Sequence, residues 1–141
     1  YIPALGEMFT AALGHGATLD GPPITATAEH DLSLALVGTG FGYRAETRRT
    51  QVGELQRIIG EVRDIRRMGS AAVDLCFVAA GRLDVYFERG LNAWDAAAGE
   101  LIAREAGAIT SDFAGGPARP AEMLAAAPQL HRPFLDLLTN A

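Results

Sequence analysis

The chain reads as an α/β fold of stacked layers, and three observations predict it. From residue 32 onward short apolar runs alternate with helical stretches, which argues for layers rather than a helical bundle. Leu32 to Gly38 is nearly continuous in apolar residues yet too short for an ordinary helix, as expected of a strand covered on both faces. Ser70 to Ala80 is apolar almost all round, with Asp74 its only charge, as expected of a helix buried between two layers. A length of 141 residues with 49% hydrophobic content is enough for one core.

Taken in order, Glu7 to Leu13 alternates loosely and meets Gly14-His15-Gly16. A short strand and the turn Asp20-Gly21-Pro22-Pro23 follow, so an antiparallel hairpin opens the chain, with His15 a turn residue. After the Leu32–Gly38 strand, Thr39-Gly40-Phe41-Gly42 forms a loop. Loops at the carboxyl ends of strands in open α/β sheets are where ligands sit, although a plain connection fits this one equally well. Residues 45–64 read as a long helix with Val52, Leu55, Ile58, Ile59 and Val62 on its apolar side and a mixed-charge stripe opposite, a solvated face or one side of a subunit contact. A short strand over 65–68 and the helix over 70–80 come next, the latter capped by Gly81, with Cys76 as a small core residue. Then follow a strand over 83–88, a helix over 93–106 closed by Gly107, a strand over 108–113 and a turn at 114–117. A short strand over 123–127 and a terminal helix over 128–138, with Pro128 in its first turn, complete the chain.

The net charge of −5 argues against a nucleic-acid partner, because phosphate backbones attract basic surfaces. All twelve basic residues are arginine, and nothing structural explains that. A single cysteine cannot form an internal disulfide, which suits a reducing cytoplasm. No apolar run approaches the roughly 20 residues needed to cross a membrane, and no signal peptide opens the chain. A start at Tyr1 rather than Met leads us to expect a fragment or a processed product.

Three pieces can carry chemistry. Asn92 can cap the helix that follows, which places Asp95 at the reciprocal capping position, while Ala96, Ala97 and Gly99 strip bulk from around its carboxylate. Trp94, Ala98, Leu101 and Ile102 would make the core face of that helix. The residues alone leave a cap and a ligand role both open. Gly69-Ser70, ahead of a buried helix, leaves free N–H groups at a positive dipole end, suited to phosphate, although a serine N-cap needs no ligand. Glu88 ends an aromatic strand shortly before Asp95, and two carboxylates at one cleft could hold a divalent cation or sugar hydroxyls.

Together, Trp94-Asp95-x-Ala97-Ala98-Gly99 and the upstream Gly69-Ser70-Ala71-Ala72 resemble the inositol monophosphatase family of magnesium-dependent, lithium-sensitive phosphomonoesterases. Met8-Phe9-Thr10-Ala11, Gly14-x-Gly16-Ala17, Gly81-Arg82-Leu83-Asp84 and Glu105-Ala106-Gly107-Ala108 look like the same family in the same order. The resemblance implies an αβαβα sandwich of the sugar-phosphatase type, with residues 1–141 as its C-terminal half. It implies that Asp95 ligates Mg2+ and touches substrate, that Gly69, Ser70 and Ala71 line the substrate site, and that Glu88 binds a ring hydroxyl of inositol. In such enzymes a metal-activated water attacks phosphorus. The family's upstream glutamate and Asp-Pro-x-Asp-Gly-Thr segment have no counterpart here, since Asp20-Gly21 lies in a different context. The resemblance therefore implies an inositol 1-phosphate phosphatase, homodimeric as a whole, whose isolated 141 residues lack activity. Histidinol-phosphate, fructose-bisphosphate and nucleotide 3′-phosphate are alternative substrates, and a non-catalytic binding or oligomerisation module is the alternative of another class.

Overall fold

The computed structural model describes residues 1–139. A small antiparallel sheet comprises β1 (Phe9–Ala11), β2 (Ala17–Leu19) and β3 (Pro23–Ile24). The main sheet contains β4 (Leu36–Thr39), β5 (Asp64–Arg66), β6 (Val85–Arg89), β7 (Ile109–Ser111) and β8 (Glu122–Ala126), in the order β5-β4-β6-β8-β7. Its β5-β4-β6 portion is parallel, and β8 runs antiparallel to both β6 and β7. The helices are α1 (Ala45–Ile58), α2 (Ala71–Ala79), α3 (Ala93–Glu105) and α4 (Pro128–Thr139).

Strand alternation splits the core in two, because neighbouring side chains of a strand leave on opposite faces. Tyr86, Met123 and Ala125 pack with Leu75, Val78, Ile102 and Ala103 of α2 and α3, and this cluster continues into Phe9 and Ala17 of the small sheet. Val85, Phe87, Leu124 and Ala126 pack on the other face with Ile58, Leu130, Phe134 and Leu138 of α1 and α4. The layers therefore run small sheet, α2 with α3, main sheet, α1 with α4, in agreement with the layered α/β expectation. The opening hairpin is present but shorter than expected. Glu105, at the end of α3, accepts from the Gly14 and Gly16 N–H groups at 3.0 and 2.9 Å, tying the turn that holds His15 to the helical layer. Cys76 is buried, and burial pushes its thiol up to about 11, so it packs as an inert apolar group.

Several expectations need correction. Leu32–Leu34 is a 3-10 turn capped by Asp31, so the strand begins at Leu36. The helix expected to reach residue 64 ends at Ile58, because Asp64–Arg66 pairs with β4 and the chain must turn between them. Val52 and Ile59, expected in the core, are 46% and 51% exposed, whereas Gln51 and Glu54 are buried. Polar partners account for this inversion. Gln51 accepts from the Gly42 N–H at 2.9 Å, and Glu54 pairs with Arg89. Trp94 was also expected inside and is 79% exposed. Helix α3 instead buries Ala96, Gly99, Ile102 and Ala103, because α2 lies too close for bulk. A Cβ on Gly99 would come within 2.7 Å of the Leu75 Cβ. The strands placed at 65–68, 108–113 and 123–127 shift or shorten to β5, β7 and β8.

Candidate active site

The parallel strands β4 and β6 end on the same side of the main sheet, next to the starts of α2 and α3. A cavity of about 580 Å3 opens there. Its lining includes Gly69, Ser70, Ala71, Glu88 and Asp95, so every residue singled out from the sequence for binding meets the same space. The loop after β4 contributes Gly40 and Gly42, and Arg44, Arg67, Tyr43 and Trp94 also border the cavity.

Gly69 has a φ of +87°, a conformation that a side chain would strain, and it turns the chain from the β5 connection into α2. Ser70 occupies the N-cap position of α2 but makes no side-chain capping bond. Its hydroxyl is therefore free, beside backbone N–H groups at the positive end of a buried helix, where an anion is favoured.

Asp95 does act in the cap. Its Oδ2 accepts from the backbone N–H of Asn92 at 2.9 Å and from Asn92 Nδ2 at 3.1 Å. The cap leaves its Oδ1 without a hydrogen bond among the described residues, and the side chain borders the cavity.

Glu88 is half-buried, and Tyr86, on the same face of β6, donates its hydroxyl to Glu88 Oε2 at 2.7 Å. Burial raises the Glu88 pKa, and the negative charge of Asp95 adds to that, while the Tyr86 hydroxyl and Arg67 work in the opposite direction. Tyr86 is fully buried, and burial followed by the Glu88 charge pushes its own pKa up, so it remains a donor.

Asp74, the lone charge of an apolar helix, belongs to this cavity. It is 1% exposed, and its Oδ1 has no hydrogen-bond partner. Burial pushes its carboxyl up to about 7, with Glu88 adding to the rise and the Met68 backbone N–H opposing it. An acidic residue in an otherwise apolar buried helix was the available signal, since such a group is rarely kept without a use or a partner.

Arg89 stiffens the far wall. It pairs with Glu54 of α1 and Glu122 of β8, and its guanidinium lies 4.5 Å from the Phe113 ring centroid. Gln51 Nε2 reaches the Gly40 carbonyl at 3.4 Å, which links α1 to the loop after β4.

The donor set for a divalent cation is incomplete. Among the described residues no group of three or more histidine, cysteine, aspartate or glutamate side chains converges as a metal site. These residues alone do not fit a bound magnesium, and Asp95 offers at most one arm of such a site. Nor is any described helix long and apolar enough to cross a membrane.

Comparison with known proteins agrees with this architecture. Residues 1–139 match the inositol monophosphatase family. The chain is 47% identical over 117 residues to the Nus factor SuhB of Escherichia coli K12, covering 82% of this chain and 44% of that protein. It is 48% identical over 120 residues to an inositol-1-monophosphatase of Mycobacterium bovis, covering 80% of this chain and 41% of that protein. Among solved structures, an inositol monophosphatase from Anabaena (Nostoc) sp. PCC 7120 superposes with a TM-score of 0.95 at 35% identity, covering 100% of this chain and 57% of that one. Mycobacterium tuberculosis SuhB superposes with a TM-score of 0.84 at 46% identity, covering 94% of this chain and 54% of that one. The chain thus spans about half the length of the relatives it matches. On its match over residues 1–139 and a fold shared along its whole length, the chain belongs to the inositol monophosphatase family.

Proposed function

We propose that the protein to which this chain contributes is a magnesium-dependent phosphomonoesterase whose preferred substrate is inositol 1-phosphate. The observation that carries this reading is the convergence of the Gly69-Ser70-Ala71 helix start, Glu88 and Asp95 on one cavity. The free N–H groups and unused hydroxyl at the start of α2 hold the phosphate. Glu88 accepts a hydroxyl of the alcohol portion, and Asp95 Oδ1 contributes one carboxylate oxygen toward the cation. The remaining cation ligands lie outside these residues, in the half of the fold that the relatives carry and this chain does not span, so no hydrolytic step is assigned to the chain on its own. The whole protein acts as a homodimer in this reading. The test is phosphate release by the product of the intact gene, with and without Mg2+, across inositol 1-phosphate, histidinol phosphate, fructose bisphosphate and a nucleotide 3′-phosphate. Metal-dependent release, fastest from inositol 1-phosphate, is expected. No release from any of the four would overturn the proposal.

A second reading, a protein-binding role, has two supports. Several relatives carry the name Nus factor, and Tyr43 and Trp94 stand exposed at the cavity mouth. It predicts a full-length protein without phosphatase activity that retains this fold.

A further inference from the structure

Gly40 and Glu88 line the cavity, and the buried Tyr86 lies against Glu88. Tyr86 and Glu88 leave the same face of β6, and Gly40 follows β4, the parallel partner of β6. Tyr86 is fully buried between α2 and the main sheet, so its ring cannot swing away, and its hydroxyl reaches Glu88 Oε2 at 2.7 Å. Glu88 Oε1 takes no hydrogen bond among the described residues, and Glu88 borders the cavity. The carboxylate lies over Gly40, where a Cβ would overlap both of its oxygens. No other residue type at position 40 leaves Glu88 this position. Gly40 is held in turn by Gln51, whose Nε2 reaches its carbonyl at 3.4 Å.

We infer that Tyr86 is a positioning residue for substrate selection: it occupies one oxygen of Glu88 and aims the other at a single hydroxyl of the ligand, in the space that Gly40 leaves clear. This deepens the phosphate-ester reading and rests on it. The ligand class it selects is a phosphate monoester of a polyol, with a free hydroxyl near the esterified one. A carboxylate fixed on one side by a rigid donor has one orientation to offer, and a substrate without that hydroxyl leaves it unpaired. An unheld glutamate would rotate and take hydroxyls indiscriminately, at the entropic cost of ordering its side chain on each binding event.

The test is Tyr86→Phe, which keeps the buried ring and removes only the donor. Two measurements are made on the product of the intact gene. One compares kcat/KM for inositol 1-phosphate and for ethyl phosphate, which has no second hydroxyl. The other is a crystal structure of the variant. The ratio of the two kcat/KM values is expected to fall about tenfold, carried by KM for the polyol ester, with Glu88 displaced from its place over Gly40. Gly40→Ala, which evicts the same carboxylate, should lower the ratio in the same direction. Equal losses on both esters would mean that Tyr86 is merely structural, and an unmoved Glu88 with an unchanged ratio would mean that the hydroxyl is idle. Either result overturns the inference. If the wild-type protein hydrolyses neither ester, the phosphate-ester reading fails by itself and the crystal structure alone decides, a displaced Glu88 upholding the positioning role and an unmoved one ending it.

Discussion

Gly99 of α3 lies against Leu75 of α2 so closely that a Cβ at position 99 would come within 2.7 Å of the Leu75 Cβ and 3.3 Å of the Ala72 carbonyl oxygen. The two helices whose starts border the cavity are therefore locked together by the absence of a side chain. Gly99→Ala gains helix propensity of up to about 1 kcal/mol but forces an overpacked contact that costs about 1–3 kcal/mol. The expected outcome is a net loss of stability and a lower Tm, read by calorimetry on the product of the intact gene. A raised Tm would mean that the helices separate at little cost and that the cavity is less rigid than its packing implies.

Asp74 makes stability depend on pH. Its folded pKa, about 7, stands above the ordinary value of 3.8 because burial disfavours the charged form. Below pH 4 it is protonated in both the folded and the unfolded chain, and its contribution is fully retained. As pH rises from about 4 to about 7 the unfolded chain gives up the proton first, and stability falls by about 4 kcal/mol at most. Above pH 7 the loss is complete. Asp74→Asn should flatten this part of the profile and raise Tm at pH 8 relative to the parent. Melting curves at pH 5, 6, 7 and 8 check it, and an unchanged slope in the variant would show that Asp74 is paired or solvated.

The 141 residues by themselves should release no measurable phosphate from inositol 1-phosphate at any magnesium concentration, because no cluster of three metal-ligating side chains forms among the described residues. A malachite-green assay on the isolated chain is sufficient. Magnesium-dependent turnover above background would mean that the cavity completes its own cation site.

Much of the layered fold could be read before any coordinates, because its signals are local. The apolar Ser70–Ala80 stretch, the closing Gly81 and the Asn92-x-x-Asp95 spacing all reappear as elements or caps in the structure. Errors arose where partners come from afar. Helical spacing puts Val52 and Trp94 on apolar faces, yet Gln51 and Glu54 find polar partners on β6 and the loop after β4, and Gly99 permits only small residues between α2 and α3. The same applies to the cavity. Gly69-Ser70 and Asp95 stand out because helix starts have sequence signatures. The Tyr86 hydroxyl and the clearance over Gly40 have none, since each depends on which strand lies beside which, and Asp74 shows only as an acid in an apolar helix.

We propose that the free oxygen of Asp95 serves the phosphate-ester site while its other oxygen caps α3. Asp95→Asn in the product of the intact gene separates these roles, because asparagine retains an oxygen for the Asn92 N–H but carries no charge for a cation. The measurement is the initial rate of phosphate release from inositol 1-phosphate at saturating Mg2+, with Tm as the control. The expected rate is lower by about 100-fold, with stability lowered by no more than the loss of a cap, about 1 kcal/mol. A full rate with Asn at position 95 would contradict it and leave Asp95 as a helix cap alone.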